Sequence, residues 1–450
     1  MHNNIPLFEL SENDTIVAIA TPPGRSALAV LRISGPSAIG IISEMWTGAE
    51  TLDALPGGSA RVGTFALTDM IETAVVTLWR APKSFTGQDL VEITMHGSLP
   101  ILAASETEII KRGARAAAPG EFTYRAILNG KLKISEAGAI SALIDAPGLA
   151  AARAASRTLS GEFAQRIRAI IDELGHLIIG MVADTEFPDD VGQLSREAVI
   201  AKVGKIAKCI ENLLKNLRSG QKLSRPQTVV IAGPPNAGKS TLANRLLGCD
   251  RSIVHHEPGT TRDLVESECD FAGVTAVLVD TAGLRETEDG VELLGVNLAH
   301  KRLSEADLVV LVIDVSQPLT PETENSLRKT KQVDRIIVEN KIDLGIKASL
   351  NGDVQICATT GEGIDELRGK ISKCFCNEVS EALWAGSWQF DRISCASECI
   401  EKAVEASASD ALDAALEELE ATDINLRQSI GEEMSKDIIE LVLENFCIGK

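Results

Sequence analysis

The hydrophobic rhythm of the chain changes three times, and each change marks a different kind of structure. Up to about residue 120 the apolar positions come in short runs. "TIVAIA" and "ALAVLRIS" flank the turn-forming "TPPGRS", and "TAVVTLWR" and "DLVEITMHG" follow, which predicts four strands of a small α/β domain. From about 135 the spacing becomes three and four. Leu159, Phe163, Ile167, Ile170, Leu174 and Ile178 form one stripe, and Val199, Val203, Ile206, Ile210, Leu213 and Leu217 form another, each the buried face of a helix. "EFPDD" and "RSGQKLSRPQ" break the pattern and read as loops. At 228 compact apolar runs return: "TVVIAG", "TAVLVDTAG", "DLVVLVIDVS", "RIIVEN" and "VQICATTG", separated by helix-length segments. That alternation predicts a parallel sheet covered by helices. After about 378 the pattern is helical again, with Leu412, Leu416 and Leu419 on one face. The simplest architecture is an α/β domain inserted into a helical domain, whose helices before and after the insertion pack together.

Composition narrows the class. At 450 residues the chain is too long for one core. Hydrophobic residues make up 44% but aromatic ones only 3%, so the cores must be mostly aliphatic. No apolar run reaches the roughly 18 residues that suggest a membrane span. "MHNNIPLFELSENDT" lacks a basic region followed by an apolar stretch, so no signal peptide is expected. The nine cysteines form no CxxC pair, and a reducing cytoplasm without disulfides is the expected setting. The net charge is −20, and residues 376–450 alone carry 5 Lys/Arg against 17 Asp/Glu. Such a tail repels nucleic acid, so any RNA would have to be gripped mainly by a partner.

The chemistry is concentrated in the second α/β region. "GPPNAGKS", Gly233 to Ser240, fits G-x-x-x-x-G-K-[ST] and lies between a predicted strand and the helical run "TLANRLL". Gly233 and Gly238 allow tight turns, and the loop amides and helix N-terminus face the phosphates. Lys239 is placed to reach the outer phosphates and Ser240 to bind Mg²⁺. "DTAG", Asp280 to Gly283, ends a strand; Asp280 can hold Mg²⁺ through water and the Gly283 amide can meet the γ-phosphate. "NKID" supplies Asn340, Lys341 and Asp343. The Asp343 carboxylate can accept from guanine N1 and its exocyclic amine, a pair adenine cannot offer, so GTP is the expected substrate. "CATTG" brings the Ala358 amide to guanine O6, with Cys357 where many GTPases have Ser. "PGTTRD" offers Thr261 as a second Mg²⁺ ligand.

Two positions carry the hydrolysis. No Gln follows "DTAGL"; Arg285 stands there, so water activation must come from elsewhere. Glu292, twelve residues past Asp280, can polarise water directly or through a second water, or it is a solvated helix-face carboxylate. Asn236 can ligate a monovalent cation beside the β- and γ-phosphates, with carbonyls from His255, Glu257 and Thr260, or it only shapes the loop.

With "ATPPGR", "LRISG", "SFTGQD", "MHG", "APGEFTYRAILNGKL", "GPPNAGKS", "PGTTRD", "DTAGLRE", "NKID" and the terminal "CIGK", the chain resembles the MnmE (TrmE) family of tRNA-modifying GTPases over essentially its full length. The resemblance implies a multi-domain α/β plus all-α protein. An N-terminal α/β folate-binding and dimerisation domain spans 1–125. A helical domain, 126–222 and 377–450, is interrupted by a Ras-like P-loop GTPase domain at 223–376. It implies a homodimer, partnership with the flavoprotein MnmG in a heterotetramer, and an aminomethyl-type group added at carbon 5 of the wobble uridine of certain tRNAs. It implies K⁺-stimulated hydrolysis, with Asn236 and the loop His255, His256, Glu257, Pro258, Gly259 and Thr260 around the ion. Nucleotide contacts fall on Asn236, Ala237, Gly238, Lys239, Ser240 and Thr241, on Thr261, on Asp280, Thr281, Ala282 and Gly283, and on Asn340, Lys341, Asp343 and Ala358. Glu292 positions water. Arg32, Glu92, Lys131 and Lys450 are the candidates for a tetrahydrofolate derivative, whose carboxylates suit cations and whose pterin edge suits Glu92. Cys447 is a transient nucleophile for the uridine ring or a packing residue; a thiolate at neutral pH would need a cationic neighbour.

Two other classes fit parts of the chain. One is a regulatory GTPase module without one-carbon chemistry, which needs neither the N-terminal domain nor "CIGK". The other is a folate-dependent transferase with a merely structural nucleotide domain, against which the intact nucleotide motifs weigh.

Overall fold

The computed structural model describes residues 11, 13–67, 70–186, 195–248, 266–280, 305–376, 380–409 and 411–432. The chain divides into two compact units: Met1–Ser141 with Thr158–Glu211 and Gly386–Lys450, and Ala142–Arg157 with Asn212–Ala385.

The first unit holds a seven-stranded sheet. Its strands are β1 (Ile16–Ile19), β2 (Ser26–Ser34), β3 (Trp46–Thr47), β4 (Ser59–Ala66), β5 (Ile71–Trp79), β6 (Leu90–Gly97) and β7 (Arg115–Ala116), in the order β3-β4-β5-β6-β2-β1-β7. All neighbours are antiparallel except β1 and β7. The four strands expected from the apolar runs are β1, β2, β5 and β6. Strand β4 escapes the pattern because Val62, its central apolar residue, is 69% exposed. Helices α1 (Ala38–Met45) and α2 (Leu99–Lys111) cover one face with Ile39, Ile42, Met45, Leu102 and Ile109. On the other face Phe122 of α3 (Glu121–Leu128) packs on Ile16 and Ala18.

Four helices follow along the chain: α4 (Ile134–Ile144), α5 (Leu149–Leu159), α6 (Glu162–Glu186) and α7 (Arg196–Leu223). Most of α4, all of α6 and the first part of α7 belong to the first unit. Phe163, Ile167, Ile170 and Leu174 are buried on α6 as the period predicts. Leu159 is a correction: it ends α5, and the chain breaks at Ser160–Gly161 before α6 begins. The second stripe, Val199 to Leu217, is buried throughout. The expected loop "RSGQKLSRPQ" is also corrected, since α7 runs on through Gly220 to Leu223. Gly220 is there for close approach: a Cβ would collide with the Leu383 carbonyl.

Helices α11 (Ser387–Ala408) and α12 (Leu412–Ser429) form a hairpin, and α12 packs on α6, so helices from before and after the insertion do meet. Gln389 is buried and donates to the carbonyls of Ser135 (3.3 Å) and Ser429 (3.4 Å). The buried face of α12 is Ala415, Leu419, Thr422 and Leu426; Leu412, expected there, is 39% exposed because it opens the helix.

The second unit is a six-stranded sheet: β8 (Gln227–Ala232), β9 (Glu266–Phe271), β10 (Val274–Asp280), β11 (Leu308–Asp314), β12 (Arg335–Asn340) and β13 (Val354–Ile356), ordered β13-β12-β11-β8-β10-β9. Every pairing is parallel except that of β9 with β10, which corrects the all-parallel expectation. In "ESECDF" only Cys269 and Phe271, two positions apart and both buried, are apolar, as in an edge strand with one wet face. Helices α8 (Lys239–Gly248) and α10 (Ile364–Cys376) bury Leu242, Leu246, Leu367 and Ile371 on one face, and α9 (Pro321–Lys329) lies against the other. Helix α5 belongs here: Ala150 donates its N–H to the Gly273 carbonyl (2.8 Å), and Thr275 donates its hydroxyl to that of Pro147 (2.6 Å).

Among the described residues Cys209, Cys269, Cys357, Cys374, Cys395 and Cys399 are free, and no helix is long and apolar enough to cross a membrane.

Candidate functional site

The strand order of the second unit reverses at β8, which lies between β11 and β10. In such sheets ligands bind at the strand C-termini beside this switch point, and the predicted phosphate loop starts there. Asn236 adopts φ 61° and Gly238 φ 96°, so the loop turns twice through left-handed backbone before α8 begins at Lys239. Asn tolerates that region better than most residues. A Cβ on Gly238 would strike the Asn340 amide, so glycine is required for contact as well as for φ. Lys239 is half-buried and donates to the Pro234 carbonyl (2.9 Å), folding its ammonium back over the loop. Ala237 is buried, whereas Asn236, Ser240 and Thr241 are exposed at the mouth.

Asn340, at the end of β12, joins this loop to the next. Its Nδ2 donates to the Ala237 carbonyl (2.8 Å) and its Oδ1 accepts the Ala358 N–H (3.0 Å). Lys341 follows at φ 68° and pairs with Asp314 (2.7 Å) at the end of β11. Asp314 also accepts from the Ser316 amide (3.0 Å) and hydroxyl (2.6 Å). Burial pushes the Asp314 carboxyl up; the Lys341 ammonium and the two Ser316 donors override it and hold it below the usual carboxylate range. Asp343 is exposed beyond Lys341. The structure therefore brings together Ala237, Gly238, Lys239, Asn340, Lys341 and Ala358. Sequence reading missed Asp314, whose signal was a carboxylate followed by Val-Ser at the end of an all-apolar strand.

Beneath this frame Glu339 has no solvent exposure. It accepts from Leu350 N (2.6 Å), Gly352 N (3.2 Å), Ser349 Oγ (3.0 Å) and Gln355 Nε2 (2.9 Å). Burial raises its pKa, and these donors outweigh burial, leaving the carboxyl below its ordinary value. It was also missed, since a glutamate before "NKID" carries no local mark of burial.

Thr261, the loop His255 to Thr260, Thr281, Ala282, Gly283, Glu292, Cys447 and Lys450 lie outside the described residues, as does the side chain of Asp280. The exposed Ser240 hydroxyl at the start of α8 is an oxygen donor that suits Mg²⁺ shared with phosphates. Among the described residues no group of three His, Cys, Asp or Glu could hold a metal by itself.

The N-terminal sheet carries a second cleft of about 350 Å³, lined by Trp79, Lys83, Ser84, Phe85, Leu90 and Glu92. Arg32 and Glu92 are register partners on β2 and β6, and the guanidinium donates to Glu92 Oε1 from both Nε (3.0 Å) and Nη2 (2.8 Å). Arg32 also lies over the rings of Phe85 (5.6 Å) and Phe122 (5.8 Å). The lining loop is pinned by Asn129, which donates to the Thr86 carbonyl (2.8 Å), and the Lys131 side chain passes beside Gly87. Aromatic walls, a carboxylate and nearby cations suit a flat heteroaromatic ring with an anionic tail.

Behind that loop, Arg125 and Glu121 are buried and paired (2.8 Å), and Arg125 donates to Gln88 (2.9 Å) and to the Asp14 carbonyl (2.7 Å). Burial favours the neutral carboxyl of Glu121, but Arg115, the Ala118 amide and Arg125 keep its pKa below the usual range.

Residues 15–131 match the family described as GTP-binding protein TrmE N-terminus, and residues 134–447 match the MnmE helical domain. A relative from Aquifex aeolicus, named tRNA modification GTPase MnmE, is 36% identical over 450 residues, covering 97% of this chain and 100% of that protein. One of the same name from Thermus thermophilus is 36% identical over 441 residues, covering 97% and 99%. Among solved structures, the G domain of the T. maritima FeoB iron transporter aligns with 28% identity and a TM-score of 0.26, covering 33% of this chain and 99% of that one.

Proposed function

Since this chain belongs to the MnmE family of tRNA modification GTPases, we propose that it hydrolyses GTP with K⁺ stimulation and, with the flavoprotein MnmG, installs a (carboxymethyl)aminomethyl group at carbon 5 of the wobble uridine of certain tRNAs. The observation that carries the GTPase reading is the Asn340 bridge, which fixes the phosphate loop and the base loop in one frame. Asp343 then takes the N1 and amine edge of guanine, and Lys239 with the α8 amides takes the phosphates. Bound Mg²⁺ supplies positive charge at the phosphates, and Ser240 and Thr261 hold it. Asn236 and the His255 to Thr260 loop hold K⁺. Glu292 orients the attacking water and holds its proton.

Residues 1–125 bind a tetrahydrofolate derivative in the cleft beside Arg32, Glu92 and Lys131, and they pair two copies. Residues 126–222 and 377–450 form the helical frame, and 223–376 the nucleotide domain. Lys450 completes the folate site from the C-terminal end and brings Cys447 beside it, as a transient nucleophile for carbon 5 or 6 of the uridine or as a packing residue. The protein works in the cytoplasm, where MnmG grips most of the tRNA; the charge of −20 supports that division.

Nucleoside analysis of tRNA from a deletion strain tests the reading. The C5-modified wobble uridine should vanish and return when this chain is supplied. An unchanged nucleoside profile in the deletion strain overturns it.

A further inference from the structure

Arg245 lies on α8, the helix that begins at the phosphate loop. It is half-buried while its neighbours Thr241, Asn244 and Gly248 are exposed. Its guanidinium leaves the helix surface to reach the base loop: Nε donates to the Ala358 carbonyl at 3.2 Å, and Nη2 donates to the Thr359 carbonyl. Two donors of one rigid fork therefore hold two successive carbonyls. A lysine, with a single ammonium, does not reproduce that geometry.

The consequence for the loop is specific. A backbone N–H shares its peptide plane with the carbonyl of the preceding residue, so holding the Ala358 and Thr359 carbonyls fixes the Thr359 and Thr360 N–H directions. On the N-terminal side, Ala358 N–H is anchored by Asn340 at 3.0 Å. On the C-terminal side, its carbonyl is anchored by Arg245. The loop then closes through Gly361 N–H to the Cys357 carbonyl (2.8 Å). Neither the phosphate motif nor the base motif calls for an arginine at this point of the helix.

We infer that Arg245 is a positioning residue for base recognition: by clamping the Ala358 and Thr359 carbonyls to α8 it aims the amides that follow them, those of Thr359 and Thr360, at the 6-oxo group of guanine. The inference rests on the guanine-nucleotide reading of this unit. It also ties recognition of the base to the helix whose first turn holds the phosphates.

The test compares three diphosphates on the full-length chain. GDP offers the complete edge, 6-thio-GDP replaces the 6-oxo acceptor with sulfur, and IDP lacks the 2-amino group read by Asp343. In Arg245→Ala, GDP should bind about fivefold to tenfold more weakly, the scale of one lost hydrogen bond. The penalty for 6-thio-GDP relative to GDP should shrink toward one, while the penalty for IDP stays at its wild-type value. Arg245→Lys, which keeps the charge and one donor site, should fall between, and it carries the same comparison if the alanine variant does not fold. An equal loss for all three nucleotides would show a merely structural staple, and unchanged affinities would show no role; either overturns the inference. A wild-type chain that does not distinguish GDP from IDP would instead remove the guanine reading itself.

Discussion

Asn340 reaches across 103 positions of sequence to donate to the carbonyl of Ala237 at 2.8 Å, with only 2% of its surface exposed. The same side chain accepts from Ala358, so one amide group supports both halves of the nucleotide site. Asn340→Ala strands a buried carbonyl and a buried N–H. Leaving such groups unpaired costs about 2 kcal/mol, so GDP should bind roughly 30-fold more weakly. Titration calorimetry checks this, and undiminished affinity would separate Asn340 from the site.

Asp343 stands exposed past the left-handed turn at Lys341. Asp343→Asn exchanges a carboxylate that accepts two bonds for an amide that can donate. Preference should move from guanine toward xanthine nucleotides, read by competition between GDP and XDP. Retained guanine selectivity would take Asp343 out of the base site.

Asn236 sits at φ 61° with its side chain exposed at the mouth of the phosphate loop. GTP hydrolysis should run faster in K⁺ than in Na⁺, and Asn236→Ala should abolish the difference with little change in nucleotide affinity. Phosphate-release rates at matched ionic strength provide the measurement. Equal wild-type rates in the two salts would end the cation proposal.

The four donors around Glu339 give a pH signature. Its folded pKa is depressed, so its stabilisation is fully present above the ordinary carboxylate value of about 4.3 and is lost as pH falls through that value toward the folded one. Glu339→Gln should lower stability at pH 7 by about 2 kcal/mol, the scale of hydrogen bonds to a charged group. The gap in melting temperature between wild type and variant should narrow below about pH 4.3. A gap that does not change with pH would mean that the carboxylate charge contributes nothing.

In the N-terminal cleft, Glu92→Gln removes the charge that faces Arg32. A tetrahydrofolate derivative should bind about tenfold more weakly, the scale of one charge-assisted bond, while GTP hydrolysis is unchanged. Fluorescence titration with the folate reads the first and phosphate release the second. Full folate affinity in the variant would move the carrier away from this cleft.

What sequence reveals here follows the range of the interaction. The phosphate loop is legible because its backbone turns are local and glycine marks them. The apolar strands and the Val199 to Leu217 stripe are legible because burial is periodic. Leu159 is misplaced by its spacing because a helix break at Ser160–Gly161 can preserve the period on both sides. Strand β9 escapes notice because an edge strand with charges on its wet face resembles a loop. Asp314, Glu339, Arg245 and Gln389 matter through partners set apart from them in sequence, which a short window does not contain.

The packing of α12 on α6 has a consequence in time as well as in space. The ribosome makes Phe163, Ile167 and Leu174 long before it makes Leu419 and Leu426, with Asn212–Ala385, the larger part of the nucleotide-binding unit, between them. At about 5–20 residues per second, the apolar face of α6 waits roughly 10–50 s for that cover. The nucleotide-binding unit is completed within this interval, whereas the helical unit has to await the last segment of the chain. A nascent chain stalled after residue 385 should therefore bind nucleotide while its α6 stripe is still open to chaperones.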